Sequence, residues 1–163
     1  MSEQLGALAD VVRVFDSNGI EHWLFGGWAV DFRLGRITRL HDDVDLAIWL
    51  DDIPRIEALL VADGWADLND PDTDGGKAFG KDGVRLELTY LCRDSDGEIY
   101  TPLLDGSRGR WTPEALGEEV AKLGSLRCRV VSLSALIRMK ERDRGTEYEA
   151  KDRADHNLLL GLD

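Results

Sequence analysis

Two acids one residue apart, Asp43 and Asp45, stand on a segment that is otherwise apolar and β-prone, and a third, Glu87, stands between Leu86 and Leu88 on a later one. Acids fill 32 of 163 positions, so about six i, i+2 acid pairs arise by chance and the spacing alone carries little. The setting carries more. From Asp43 to Leu50 the chain alternates, with Val44, Leu46, Ile48 and Leu50 on one face and Asp43, Asp45, Ala47 and Trp49 on the other, as a strand requires. Ionised carboxylates on one strand face repel each other, and a divalent cation removes the conflict. Three carboxylates converging on one sheet face make the oxygen-rich setting that Mg²⁺ takes. Upstream, Gly26-Gly27 closes the run His22 to Phe25 and opens a short helix, Trp28 to Leu34, that ends at Gly35. Such a turn leaves backbone N–H groups free at the positive end of a helix dipole, and the missing Cβ lets phosphates approach.

These groups need elements to hold them. Leu5, Leu8, Val12 and Phe15 predict an amphipathic helix behind a Ser2 cap and ahead of Gly19. Asp51-Asp52 can cap a helix entered at Pro54, with Ile56, Leu59 and Leu60 inward and Gly64 as its stop. Asn69 to Gly76 reads as a loop, and Lys77 to Lys81, Asp82-Gly83 and Val84 to Leu91 as a hairpin with a two-residue turn. In its second arm Leu86, Leu88 and Tyr90 share one face and Arg85, Glu87 and Thr89 the other, and the arm could pair beside the Asp43 strand. Cys92 to Gly109 reads as loop, followed by a short helix after Pro113 and a strand, Leu126 to Val131, beside a Gly124 turn. Ser132 or Ser134 starts a helix through Lys140, and Glu147 to Leu160 is a last helix ending at Gly161.

Composition bounds the function. With 163 residues, 43% hydrophobic and 32% charged, the chain suits one folded domain, 1–163, with a catalytic core at about 20–91 and a helical part at about 132–162. A formal charge of −12 argues against a broad grip on nucleic acid or an anionic membrane and favours a cationic small molecule or bound metal. The sequence has no apolar run of membrane-spanning length, and its Met-Ser-Glu-Gln-Leu opening lacks signal-peptide character, so the cytoplasm is expected. Cys92 and Cys128 are expected to be reduced, and His22, His41 and His156 lack zinc spacing.

In order along the chain, strand, Gly-Gly, helix, Asp-x-Asp strand and a later acid, the sequence resembles the nucleotidyltransferases of the DNA polymerase β superfamily. More closely, Leu24-Phe25-Gly26-Gly27-Trp28-Ala29-Val30-Asp31, Leu34-Gly35-Arg36-Ile37-Thr38-Arg39 and His41-Asp42-Asp43-Val44-Asp45-Leu46 are similar to the signature of small antibiotic nucleotidyltransferases, the lincosamide enzymes and the aminoglycoside 2″-adenylyltransferases. The resemblance implies an α/β fold of the polymerase β-like nucleotidyltransferase type, with a mixed sheet flanked by helices and C-terminal helices. It implies transfer of AMP from ATP to a hydroxyl of an aminoglycoside or lincosamide, with Mg²⁺, two ions, as cofactor. Asp43 and Asp45 would bind the metal, and Glu87 would complete the metal site or act as general base where relatives often place Asp. Gly26 and Gly27 would seat phosphates, Arg39 and Arg36 would neutralise them, and Lys140 would approach the nucleotide. A chain this short leaves a homodimer open as the means of completing an acceptor site.

Several residues keep two readings. Asp31 holds the loop or contacts acceptor, and His41 orients Asp43, touches phosphate or is structural. Trp28, Trp49, Tyr90 and Trp111 stack a ring or pack the core. Asp94, Asp96, Glu98 and Asp105 meet ammonium groups or are solvated. Lys140 with Lys151-Asp152-Arg153-Ala154-Asp155 is similar to a Lys…Lys-Asp-x-x-Asp pattern of many small nucleotidyltransferases, while Asp152 and Asp155, i, i+3 on a charged helix, also have the pattern of a solvated face. Two other functions fit the acids less well: a nucleotidyltransferase with a protein acceptor, whose antitoxin-type members usually carry Gly-Ser, and an inactive homologue serving as a binding module.

Overall fold

The computed structural model describes residues 2–162. The first helix, α1 (Ser2–Ser17), buries Leu8, Val11, Val12 and Phe15 along one stripe; the cap expected of Ser2 falls on a side chain outside the described ones. There follow β1 (His22–Phe25), α2 (Gly26–Leu34), β2 (Val44–Trp49), α3 (Ile53–Ala62), β3 (Ala66–Asp67), β4 (Gly76–Lys81) and β5 (Val84–Arg93). The chain then forms β6 (Ile99–Pro102), β7 (Arg108–Trp111), β8 (Val120–Leu123), β9 (Leu126–Arg129), α4 (Leu133–Glu141) and α5 (Thr146–Leu160).

The main sheet has the order β1-β2-β5-β4-β3, with β6 and β7 extending it from β5. It is mixed: β2 and β5 run parallel, while β1 with β2 and β4 with β5 run antiparallel. Alternation sends Leu24, Val44, Leu46, Ile48, Leu86 and Leu88 into the core, where Phe15 of α1 meets His22 edge-on at 5.4 Å. Each large apolar side chain buried there contributes about 1.5–3 kcal/mol. The other face carries Phe25, Asp45 and Glu87, paired in register. A separate hairpin, β8–β9, and the α4–α5 pair close the molecule beside α2.

Several sequence expectations are corrected. Leu50 leaves the β2 strand for a 3-10 turn and is 37% exposed. The α2 helix starts at Gly26 rather than Trp28, so both glycines lie inside it. Asp52 stands at the N-cap of α3 but its side chain makes no capping bond. Cys92 to Gly109 is not loop: β5 runs on to Arg93, and β6 and β7 form a hairpin beside it whose strands are only 4 residues long and hold Pro102 and Gly109, which read as breakers. The helix after Pro113 is only a 3-10 turn, Pro113–Ala115, and the strand expected to reach Val131 stops at Arg129 and pairs with β8. Asp82 and Gly83 both have positive φ, as the two-residue turn between β4 and β5 demands. Ser132 caps α4 by accepting from the Ala135 N–H. Both cysteines are free, and burial pushes the Cys128 thiol up to about 12.

Candidate active site

The α2 helix begins where β1 ends, so its first N–H groups face outward beside the strand that carries the acids. Phe25 at the N-cap offers no side-chain bond to them, which leaves the helix start open to an anion. Gly26 has φ +70, a conformation that disfavours side chains, and a Cβ there would strike Asp45 Oδ2. A Cβ on Gly27 would strike the His41 ring and the Arg39 guanidinium. The Gly-Gly pair thus lets a helix start lie directly against a carboxylate on one side and two basic side chains on the other.

Asp45 pairs with Phe25 on one side and with Glu87 on the other, while Asp43 stands just ahead of β2. One carboxylate oxygen from each of Asp43, Asp45 and Glu87 lies within 4.8 Å of the other two. Burial, reinforced by Glu87, holds Asp43 above the ordinary carboxylate value, and burial with Asp43 and Glu87 holds Asp45 well above it. Three hard oxygen donors brought this close, two of them held above the ordinary value, fit a divalent cation of the Mg²⁺ type. Arg85 Nε donates to Glu87 Oε1 at 2.8 Å and its Nη2 donates to Asp70 at 2.6 Å, so Glu87 is already tethered at one oxygen.

Asp31 and His41 lie behind the Gly-Gly turn rather than among the three acids. Fully buried Asp31 accepts from the Thr38 N–H at 3.1 Å and the Thr38 hydroxyl at 2.5 Å. Its other oxygen is 2.6 Å from His41 Nε2, and because a carboxylate only accepts, Nε2 carries the hydrogen. The His41 ring lies tilted by 42° against Trp28 with centroids 4.7 Å apart, and Gln4 spans both by donating to the His41 carbonyl at 2.8 Å and accepting from Trp28 Nε1 at 3.2 Å. His41 Nδ1 is buried, with no hydrogen-bond partner among the described residues.

The basic residues separate. Arg36 is exposed beyond the Gly35 cap. Arg39 turns toward α5 and donates from Nε and Nη2 to Asp155 at 3.2 and 2.8 Å. Lys140 lies 2.9 Å from Asp155 and 3.4 Å from Asp152, and Arg144 Nε donates to Asp152 at 2.9 Å. Asp152 and Asp155, expected on a solvated face, are 4% and 1% exposed. The i, i+3 spacing was visible in the sequence; that both meet Lys140 of α4, with Arg144 added at Asp152 and Arg39 at Asp155, was not. Burial alone would raise both carboxyls, but Arg144 with Lys140 and Arg39 with Lys140 outweigh it and hold them below the ordinary value.

Tyr90 falls on the face opposite Glu87, paired with Ile48, where burial raises its phenol and Lys77, Glu57 and Asp67 are the neighbouring charges. Strand parity thus keeps it away from the carboxylates. Trp28 is buried in the core. Trp111 meets Phe25 edge-on at 5.9 Å, and its Nε1 donates to Thr101 Oγ1 at 2.9 Å, placing an anchored aromatic pair one residue pairing from Asp45. Trp49 meets Trp23 at 6.2 Å. Of the loop acids, Asp94 accepts from Arg108 and two backbone N–H groups, and Asp105 accepts from Ser107. Glu98 lies 3.7 Å from Arg110, and Asp96 is exposed.

A family profile for aminoglycoside-2″-adenylyltransferase matches residues 7–159, from α1 through α5. The chain belongs to the aminoglycoside-2″-adenylyltransferase family. It is 37% identical over 122 residues, 75% of its length, to a 2″-aminoglycoside nucleotidyltransferase of Escherichia coli and equally to one of Klebsiella pneumoniae. The match spans 58% of the length of those curated relatives. Among solved structures, the lincosamide antibiotic adenylyltransferase LnuA, lincomycin-bound, superposes with a TM-score of 0.75 at 17% identity, over 100% of this chain and 98% of that one. ANT(2″)-Ia in complex with adenylyl-2″-tobramycin gives 0.72 at 20% identity, over 98% and 89%. At these identities the likeness shows the fold, that of the polymerase β-like nucleotidyltransferases.

Proposed function

We propose that this chain, as one nucleotidyltransferase domain, transfers AMP from ATP to a hydroxyl of an aminoglycoside in the cytoplasm, and so confers antibiotic resistance. The observation that carries the reading is the approach of Asp43, Asp45 and Glu87 within 4.8 Å beside an uncapped helix start, in a chain of this family. The relatives' names point to an aminoglycoside, and a net charge of −12 suits a polycation. A lincosamide is the second acceptor in this reading, supported by the likeness to the lincomycin-bound structure.

Asp43, Asp45 and Glu87 would hold Mg²⁺, which supplies charge neutralisation at the phosphates and a lowered pKa for the acceptor hydroxyl. The α2 N–H groups, aided by Arg39 and Lys140, bind and orient the triphosphate, with Arg36 available from the exposed loop. The acceptor oxygen attacks the α-phosphorus in line, a new P–O bond forms, and the bond to pyrophosphate breaks. The hydroxyl proton passes to a carboxylate, with the Glu87 oxygen not tied to Arg85 as the candidate base. The Phe25–Trp111 pair offers an apolar wall to a sugar ring on the acceptor side.

Incubation with Mg²⁺, each of the four nucleoside triphosphates and a panel of aminoglycosides and lincosamides, read by mass spectrometry, tests the reading. A nucleotide adduct on an aminoglycoside is expected; no adduct on any drug would sink it. An inactive homologue would also show no thermal stabilisation by Mg²⁺ and ATP.

A further inference from the structure

Asp155 is the most buried acid outside the Asp31 cluster and lies on neither the metal strand nor the Gly-Gly turn. It is nevertheless the point where two basic side chains meet: Arg39, from the loop ahead of β2, at 2.8 Å, and Lys140, from α4, at 2.9 Å. Arg39 reaches the space beside Gly27 at the seat described above, and Lys140 stands beside Arg39 on the same Asp155 carboxylate. Without an acid between them, two cations held this close would repel and separate, and long basic side chains would lose the fixed geometry that phosphate recognition needs. A second ion pair, Lys151 with Asp42 at 2.5 Å, ties α5 to the same loop.

We propose that Asp155 is a positioning residue for nucleotide binding, holding Arg39 and Lys140 as one cationic edge of the triphosphate seat without itself touching substrate. Asp152 extends the arrangement by taking the other side of Lys140 and bringing in Arg144. The C-terminal helix thus takes part in nucleotide recognition through charge placement. This rests on the nucleotidyltransferase reading given above.

The test compares the parent chain with Asp155→Asn, which keeps side-chain volume and removes the charge, by calorimetric titration with Mg²⁺–ATP and by steady-state kinetics. The expected result is a nucleotide Kd and KM raised together by about tenfold, with kcat and the acceptor KM changed less than about threefold. A folded Asp155→Asn chain that binds Mg²⁺–ATP within about twofold of the parent would overturn the role of Asp155. Should that variant fail to fold, Lys140→Met/Asp155→Asn removes one charge of each sign and is compared with Lys140→Met alone. The double variant is expected to bind nucleotide more weakly, because Arg39 has also lost its anchor, and equal binding would overturn the proposal. A parent that does not bind Mg²⁺–ATP would instead sink the nucleotidyltransferase reading itself.

Discussion

Asp45 and Glu87 are direct register partners across the parallel β2–β5 pair, so two acids 42 positions apart in sequence project from the same sheet face side by side. Parallel pairing cannot be made by a tight turn, and here α3 and the β3–β4 segment supply the crossover. The arrangement puts like charges together, a cost that a cation bound as proposed would remove.

Asp45→Asn should therefore separate function from stability. The variant loses nucleotidyl transfer, because the amide is a poor ligand for a hard cation. In metal-free buffer it melts higher than the parent, by about 1 kcal/mol or roughly 2–4 °C for a chain of this size. Mg²⁺ raises the melting temperature of the parent and not of the variant. Normal turnover by the folded variant would refute the metal assignment.

Gly27→Ala is expected to damage both fold and activity. The added methyl meets His41 and Arg39, neither of which can withdraw without breaking the bonds to Asp31 and Asp155. Overpacking of this kind costs about 1–3 kcal/mol. Calorimetric melting and the KM for ATP should both move, whereas Gly97→Ala, at an open turn with φ +84, should cost stability and leave the nucleotide KM unchanged.

Asp31→Asn probes the support behind the turn. Asp31 accepts from Thr38 twice and from His41 once, and an amide has only one oxygen to offer. Leaving a buried donor unmatched costs about 1–3 kcal/mol. The melting temperature should fall, with the ATP KM rising more than the acceptor KM, as initial-rate kinetics will show.

Stability should depend on pH through His22. Burial holds the His22 imidazole below its ordinary value of 6.5, against the bond to the Ile20 carbonyl and the nearby Asp16. Between the two values the unfolded chain binds more protons than the folded one, so stability is complete above about pH 6.5 and is lost as pH falls through the window below it. Asp43 and Asp45 act with the opposite sign: their raised values let the folded, metal-free chain keep protons, so their contribution falls as pH rises above the ordinary carboxylate range. Urea unfolding at pH 5.5 and 7.5 should show a loss on acidification that His22→Gln reduces. An unchanged pH dependence in that variant would rule His22 out as the source.

What the sequence by itself determined is local. The two-residue period around Asp43 and Asp45, the glycines after Phe25, the hairpin turn at Asp82-Gly83 and the cap at Ser132 each depend on neighbours within a few positions, so their types announce the elements. The β6 and β7 strands escaped because each is only 4 residues long and carries a breaker, Pro102 or Gly109, so too few positions remain to show an alternation. Tertiary structure decided the rest. Parallel pairing brought Glu87 beside Asp45. Docking of α5 carried Asp155 to Arg39 across 116 positions, turning an acid with the spacing of a solvated helix into a buried partner of two cations. Long-range pairing of charges leaves no period in the sequence, since its partners are chosen by packing and not by spacing.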